Sequence, residues 1–103
     1  MIRALLESEG GRCRLLCEGH AEGSPALCAA VSCLICTVAG WVRFSGIERF
    51  SEELTSGRAL LEFAEGAKSD TVLTLAAIGL LQLEKHDPAR IKVTINNFLG
   101  GYL

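Results

Sequence analysis

Two side chains that could form a nucleophile–base pair, His20 and Cys28, are separated by seven residues. His20 follows an expected strand and stands in a short, glycine-containing loop. Ser24 is a favoured helix N-cap, and Pro25 suits the first helical position, where its missing N–H costs nothing. Cys28 therefore falls in about the first turn of a helix, where unsatisfied N–H groups and the helix dipole favour a thiolate. The loop returns the chain to this helix N-terminus, which predicts that His20 lies near Cys28.

A cysteine and a histidine in this arrangement could cleave a peptide bond. The histidine could hold the cysteine as a thiolate–imidazolium pair and then protonate the leaving amine. Free N–H groups of the helix could stabilise the oxyanion, and Gly19 and Gly23 would let the loop open for an extended peptide. From the residues alone, a small cysteine packed in the core is the commoner explanation. Both interpretations stay open at this point.

The elements that must position this pair predict an α+β fold. Strands are expected over residues 2–9 and 12–17 around a Gly10-Gly11 turn, followed by a helix from about 25 to 40 or a few residues beyond. A strand over 58–64, a helix over 71–85 capped by Ser69-Asp70, and a strand over 90–95 complete the chain. Residues 44–57 show little beyond two turns. The order β-β-α-β-α-β predicts one domain, residues 1–103, with two helices packed on a small, mostly antiparallel sheet.

Composition and charge narrow the classes of function. Half of the residues are hydrophobic, and the net charge of −2 with scattered basic residues argues against a nucleic acid or an anionic membrane as a direct partner. The longest apolar runs, about ten residues, are too short to span a bilayer. With no visible signal peptide, a cytoplasmic location is expected. The apolar surface of both helices exceeds what one sheet face can cover, which predicts a homodimer.

The five cysteines are expected to be reduced thiols in such a compartment. Four residues could be combined into a zinc set: Cys13, Cys17, His20 and Cys28. They lack the two close pairs of a structural zinc site, so core packing is expected for the first two, and no metal or cofactor is expected. Cys33 and Cys36 lie inside the helix rather than at its start, so a thioredoxin-like role is not expected. Two buried small side chains would explain that spacing.

The run Gly19-His20-Ala21, a glycine-containing loop, and the run Cys28-Ala29-Ala30-Val31-Ser32 resemble the signature of the bacterial ribosomal-processing cysteine proteases. The resemblance implies the same order of elements over nearly the whole chain, and a homodimer. It implies a protease that removes the N-terminal extension of a large-subunit ribosomal protein, with that peptide as its partner. His20 would be the general base and acid, Cys28 the nucleophile, and Ser32 a supporting hydroxyl one helical turn behind it. Gly19 and Ser24 would support the loop and the helix start.

Two features differ from the pattern of that family. The loop between His20 and Cys28 is several residues shorter than is usual, and Pro25 stands where the family tends to place an Asp. Glu18 and Glu22 are the carboxylates that could replace that Asp. These differences support an alternative function: a catalytically weakened or inactive relative that acts as a dimeric peptide-binding or ribosome-assembly module.

Overall fold

Five strands form one mixed sheet, and two helices cover one of its faces. The structure is a computed structural model that describes residues 1–98. In chain order the elements are β1 (Ile2–Glu9), β2 (Arg12–Glu18), α1 (Pro25–Ser45), β3 (Ser51–Thr55), β4 (Arg58–Ala64), α2 (Ala67–His86) and β5 (Ile91–Asn96). The strands lie in the order β3-β4-β2-β1-β5. Only the β1–β5 pair is parallel within this sheet, so the predicted α+β class with a mostly antiparallel sheet is confirmed.

Alternating side chains on the strands build the core. On β1, β2 and β4, every second residue faces the helices and is buried: Ile2, Ala4, Leu6, Cys13, Leu15, Cys17, Leu61 and Phe63. Most of the intervening positions carry charges, as where Arg14 lies between Glu7 and Glu62, while Leu5, Leu16 and Leu60 are paired across this outer face. Because a slip by one residue would exchange the two faces, this alternation fixes the register of the strands. The residues that lead into the His20 loop are thereby held on the central strand β2.

β3 is the element that the sequence did not predict. All of its residues are exposed, and its sequence Ser-Glu-Glu-Leu-Thr has no apolar face. It is an edge strand held by antiparallel pairing with β4. The observed order is therefore β-β-α-β-β-α-β, with an added hairpin whose turn reaches the His20 loop.

The main difference from the predicted helices is at the start of α2. α1 ends at Ser45, a few residues beyond 40 as expected, and is closed by Gly46, whose φ of 67° is the left-handed conformation that favours glycine. α2 begins at Ala67 after Gly66, so the predicted cap at Ser69-Asp70 is wrong. The Ser69 hydroxyl is buried inside the first turn, where it donates to the Ala64 carbonyl. Ser69 is of a type that often caps helices, but its hydroxyl bonds to the end of β4 instead of capping α2.

Within residues 1–98, α1 alone is long and apolar enough to cross a membrane, so the expectation that every apolar segment is too short to do so is wrong. The core helix of a soluble protein can have the same length and composition. The buried face of α1 packs on α2 and the sheet, and consists of Leu27, Val31, Ile35, Val38, Ala39 and Val42. This packing accounts for the apolar character of one face of the helix and holds its N-terminus beside the end of β2.

Candidate active site

A cavity of about 280 Å³ at the N-terminal end of α1 contains most of the residues singled out from the sequence. Gly19, His20, Cys28 and Ser32 all line it. Its opposite wall is the turn between β3 and β4, residues 55–58. The predicted proximity of the His20 loop to the N-terminal end of α1 is therefore observed, and the wall formed by the unpredicted hairpin is new.

The first turn of α1 fixes the position of Cys28. Ser24 is the N-cap: its Oγ accepts the Leu27 N–H at 3.3 Å, and its carbonyl accepts the Cys28 N–H at 3.3 Å. Pro25 occupies the start of the helix, where no backbone donor is lost. Both the predicted cap and the predicted role of Pro25 are observed.

The Sγ of Cys28 accepts a hydrogen bond from the Ala21 N–H, with an N···S distance of 3.4 Å. A donor directed at sulfur stabilises a thiolate more than a neutral thiol, because its partner is then charged. The sequence predicted free helix N–H groups around Cys28, but the observed donor to its sulfur is a different group. The N–H groups of Leu27 and Cys28 already bond to Ser24, so the donor next to sulfur comes from the loop.

The His20 side chain lies on the β3–β4 turn. A methyl group on Gly57 would come within 2.6 Å of His20 Nε2, so the imidazole occupies the space that a side chain there would need. The Gly57 carbonyl accepts the Gly19 N–H at 2.8 Å, and the Met1 amine donates to the His20 carbonyl at 2.8 Å. Gly19 has a φ of 95° and packs so closely on the Met1 carbonyl that no side chain fits. The chain on both sides of the imidazole is thus fixed by backbone contacts.

The structure brings His20 and Cys28 into one cavity but not into a hydrogen bond with each other, among the contacts of residues 1–98. Catalytic hydrogen bonds are often long in free enzymes and shorten when substrate binds. The two candidate carboxylates bond elsewhere. Glu18 pairs with Arg58 at 3.4 Å, and Glu22 meets the rest of the fold through its backbone carbonyl. Neither hydrogen-bonds to the His20 ring within the described chain.

Arg90 ties the loop between His20 and Cys28 to a segment that is distant in sequence, the turn before β5. Its Nε donates to the Glu22 carbonyl at 2.9 Å, across a sequence separation of 68 residues. Its Nη1 contacts both carboxylate oxygens of Asp87 at 3.2 and 3.1 Å. No local pattern in the sequence connects position 90 with this loop. Arg90 is therefore a site residue that sequence reasoning missed.

Ser32 lies one helical turn after Cys28 with an exposed side chain in the cavity. The other cysteines differ in environment. Burial raises the pKa of Cys17 to about 11 and is the main cause that raises the pKa of Cys13. Their predicted core packing is confirmed. Cys33 and Cys36 are exposed on α1, so the expectation that they are buried is wrong: the buried face of α1 lies between them and the sheet.

No group of three or more metal-ligating side chains occurs within residues 1–98. The zinc combination of Cys13, Cys17, His20 and Cys28 is also disfavoured chemically, because zinc binds thiolates and burial keeps the first two protonated. The cavity therefore offers one half-buried thiol, Cys28, beside one exposed imidazole. This pair is suited to nucleophilic attack followed by proton transfer.

No protein-family model and no curated protein sequence matches the chain. Solved structures are similar to it. They include the ribosomal processing protease Prp from S. aureus in complex with a covalently linked product peptide, and the same protease in complex with a substrate peptide. Each has a TM-score of 0.72 and 14% identity, covering 92% of this chain and 99% of that chain. A hypothetical protein from Staphylococcus aureus has a TM-score of 0.63, 12% identity and the same coverage. The chain therefore has the fold of the ribosomal processing protease Prp.

Proposed function

We propose that the protein is a cysteine endopeptidase with Cys28 as nucleophile and His20 as general base and acid. One observation carries the proposal: the two side chains line the same cavity at the start of α1, in a chain with the fold of Prp. The resemblance of the sequence around both residues to the family signature supports it. The proposal treats residues 1–103 as one protease domain that acts in the cytoplasm.

The reaction begins with transfer of the Cys28 proton to His20. The thiolate sulfur attacks the carbonyl carbon of the peptide bond, and the C–N bond breaks as the imidazolium gives its proton to the departing amine. His20 then takes a proton from water, whose oxygen attacks the thioester and releases the new carboxyl end and the thiol. The Ala21 N–H, 3.4 Å from sulfur, stabilises the thiolate before attack. Ser24 and Gly19 keep the helix start and the loop in place for these steps.

We further propose that the substrate is the N-terminal extension of a large-subunit ribosomal protein. Two observations support a peptide as substrate: the neighbouring Prp structures hold a substrate peptide and a product peptide, and the cavity opens between a helix and a hairpin turn. Residues 55–58 of that turn would lie along a bound peptide on the side opposite Cys28. Ser32 would contact the peptide from the helix.

The proposal includes a homodimer formed by the outer face of the helices. Phe44 is 86% exposed, Leu75 63% and Ile78 47%. A groove of about 130 Å³ between α1 and α2 is lined mainly by apolar residues, including Leu75 and Trp41, together with Thr37 and Thr71. Exposed apolar surface of this kind more often marks an interaction site than a face that stays in water. A second copy of the chain would cover it.

The direct test uses a synthetic peptide that spans the extension and the first residues of the mature ribosomal protein, with products identified by mass spectrometry. The unmodified protein should cleave it, whereas Cys28→Ala and His20→Ala should not. Cys33→Ala is the matched control, since it removes an exposed thiol from the same helix and should leave cleavage intact. Equal cleavage by Cys28→Ala and the unmodified protein would remove Cys28 from the mechanism.

A peptide-binding module without catalytic activity is the second candidate. The missing hydrogen bond between His20 and Cys28 and the presence of Pro25 favour it. It predicts that the protein binds the extension peptide without cleaving it. It also predicts that Cys28 reacts with iodoacetamide at about pH 6 no faster than an ordinary thiol. Measuring binding and cleavage of the same peptide separates the two candidates.

A further inference from the structure

Gly57, in the turn between β3 and β4, lies against the His20 ring. Its φ of 74° lies in the left-handed region, which favours glycine. A methyl group at this position would come 2.6 Å from Nε2, 3.3 Å from Cε1 and 3.4 Å from Cδ2 of His20. Three atoms of the imidazole therefore lie where the side chain of any other L-residue would begin.

The same turn also holds the chain that carries the ring. The Gly57 carbonyl accepts the Gly19 N–H at 2.8 Å. The turn itself is braced by the Thr55 hydroxyl, which donates to the Arg58 carbonyl at 3.3 Å, and by ion pairs from Arg58 to the strands on either side. Residue 57 thus contacts both the backbone before His20 and the imidazole itself.

We propose that Gly57 is a positioning residue for the His20–Cys28 pair. Its missing side chain leaves the place in which the imidazole lies, and its carbonyl fixes the residue before His20. This inference rests on the proposed function, since it concerns proton transfer within that pair. In many enzymes of this type, a third group orients the base. No carboxylate of residues 1–98 hydrogen-bonds to the His20 ring, and the contact with Gly57 takes over that orienting task.

The chain contains a matched control for this position. Gly11 is also the second residue of a two-residue hairpin turn, with a φ of 82° and no atom within 4 Å of an added methyl group. Gly57→Ala and Gly11→Ala therefore impose a similar backbone cost, because both place an L-residue at positive φ. Only Gly57→Ala meets His20. The difference between the two variants isolates the contact with the ring.

The readout is the second-order rate constant for alkylation of Cys28 by iodoacetamide at about pH 6, where an ordinary thiol is almost fully protonated. Cys33→Ser and Cys36→Ser form the background, since both side chains are exposed. Gly57→Ala should lower the rate by about tenfold or more, since a misplaced catalytic group loses its proper geometry. Gly11→Ala should react at the rate of the background protein.

A second comparison separates positioning from general damage to the fold. In a His20→Ala background, which itself reacts slowly, Gly57→Ala should cause no further decrease. If Gly57→Ala is too unstable for its alkylation rate to be measured, the unfolding midpoints of two double variants are compared instead. His20→Ala/Gly57→Ala lacks the imidazole that the new methyl group would meet, so it should be as stable as His20→Ala/Gly11→Ala.

The other possible results would each contradict a different part of the proposal. Equal rates for Gly57→Ala and Gly11→Ala, or an equal loss with and without His20, would overturn the role of Gly57 and leave the proposed protease intact. Failure of the His20→Ala background to rescue an unstable Gly57→Ala variant would do the same. If His20→Ala alone reacts as fast as the background protein, the His20–Cys28 pair itself fails.

Discussion

Replacing Cys17 should remove a pH dependence of stability in the alkaline range. Cys17 lies on β2 and lines the candidate cavity, yet it is only 5% exposed. Burial raises the pKa of its thiol from 9.0 to about 11. A thiol with a higher pKa in the folded state stabilises the fold fully below the unfolded pKa, and this contribution is lost as pH rises through the folded pKa. A separation of two pH units corresponds to about 2.7 kcal/mol.

The assay is urea unfolding of the unmodified protein and Cys17→Ala in reducing buffer at several values between about pH 8 and pH 11. Other titrating groups are common to both proteins, so the difference in the free energy of unfolding isolates Cys17. Cys17→Ala leaves a small cavity whose cost is constant with pH. The advantage of the unmodified protein should therefore shrink by up to about 2.7 kcal/mol across this range.

Cys33→Ala is the control, because it removes a thiol that is exposed rather than buried. A difference between the unmodified protein and Cys17→Ala that stays constant from about pH 8 to pH 11 would refute the reasoning from burial. The result also bears on mechanism, since Cys17 and Cys28 both line the cavity. A Cys17 thiol that stays protonated at neutral pH leaves Cys28 as the proposed nucleophile of this site.

Two further predictions concern Arg90 and the outer helix face. Arg90→Met removes the bond to the Glu22 carbonyl, which should lower the free energy of unfolding by about 1 kcal/mol and speed amide exchange in the His20–Cys28 loop. Lys85→Met should change neither quantity, and unchanged exchange in Arg90→Met would contradict the tether. Leu75→Glu should convert the proposed dimer into monomers in sedimentation velocity. Lys92→Gln, which makes the same change of net charge on the sheet face away from the helices, should not. A Leu75→Glu protein that sediments like the unmodified one would place the interface elsewhere.

The local chemistry of the site could be predicted from the sequence because its signals lie close together in the chain. Ser24 and Pro25 are residue types with strong preferences for a helix start, and the structure places both there. Cys28 follows directly from that start. The strands β1 and β2 were likewise predicted, since their buried residues alternate and a Gly-Gly turn joins them. In each case the interactions span only a few residues.

The rest of the site depends on contacts that no local pattern encodes. β3 has no buried residue, so its pairing with β4 leaves no hydrophobic periodicity in the sequence. The placement of Gly57 against His20 follows from that pairing. α2 begins before its apparent cap because the Ser69 hydroxyl finds a backbone acceptor in the preceding strand. Tertiary hydrogen bonds decided each of these points.

These contacts offer a structural explanation for the short loop and for the absence of an Asp at position 25. A seven-residue connection between His20 and Cys28 is closed by a turn in which the Ser24 N–H donates to the Ala21 carbonyl at 3.0 Å. Gly57 fixes the chain before it, and Arg90 holds its middle at Glu22. A shorter loop with fixed ends has less conformational entropy to lose when substrate binds. In the protease proposed here, backbone contacts from distant elements therefore orient the base, where a carboxylate does so in many related sites. Substitutions in the turn after β3, rather than at an acidic residue near His20, should therefore reduce catalysis without unfolding the protein.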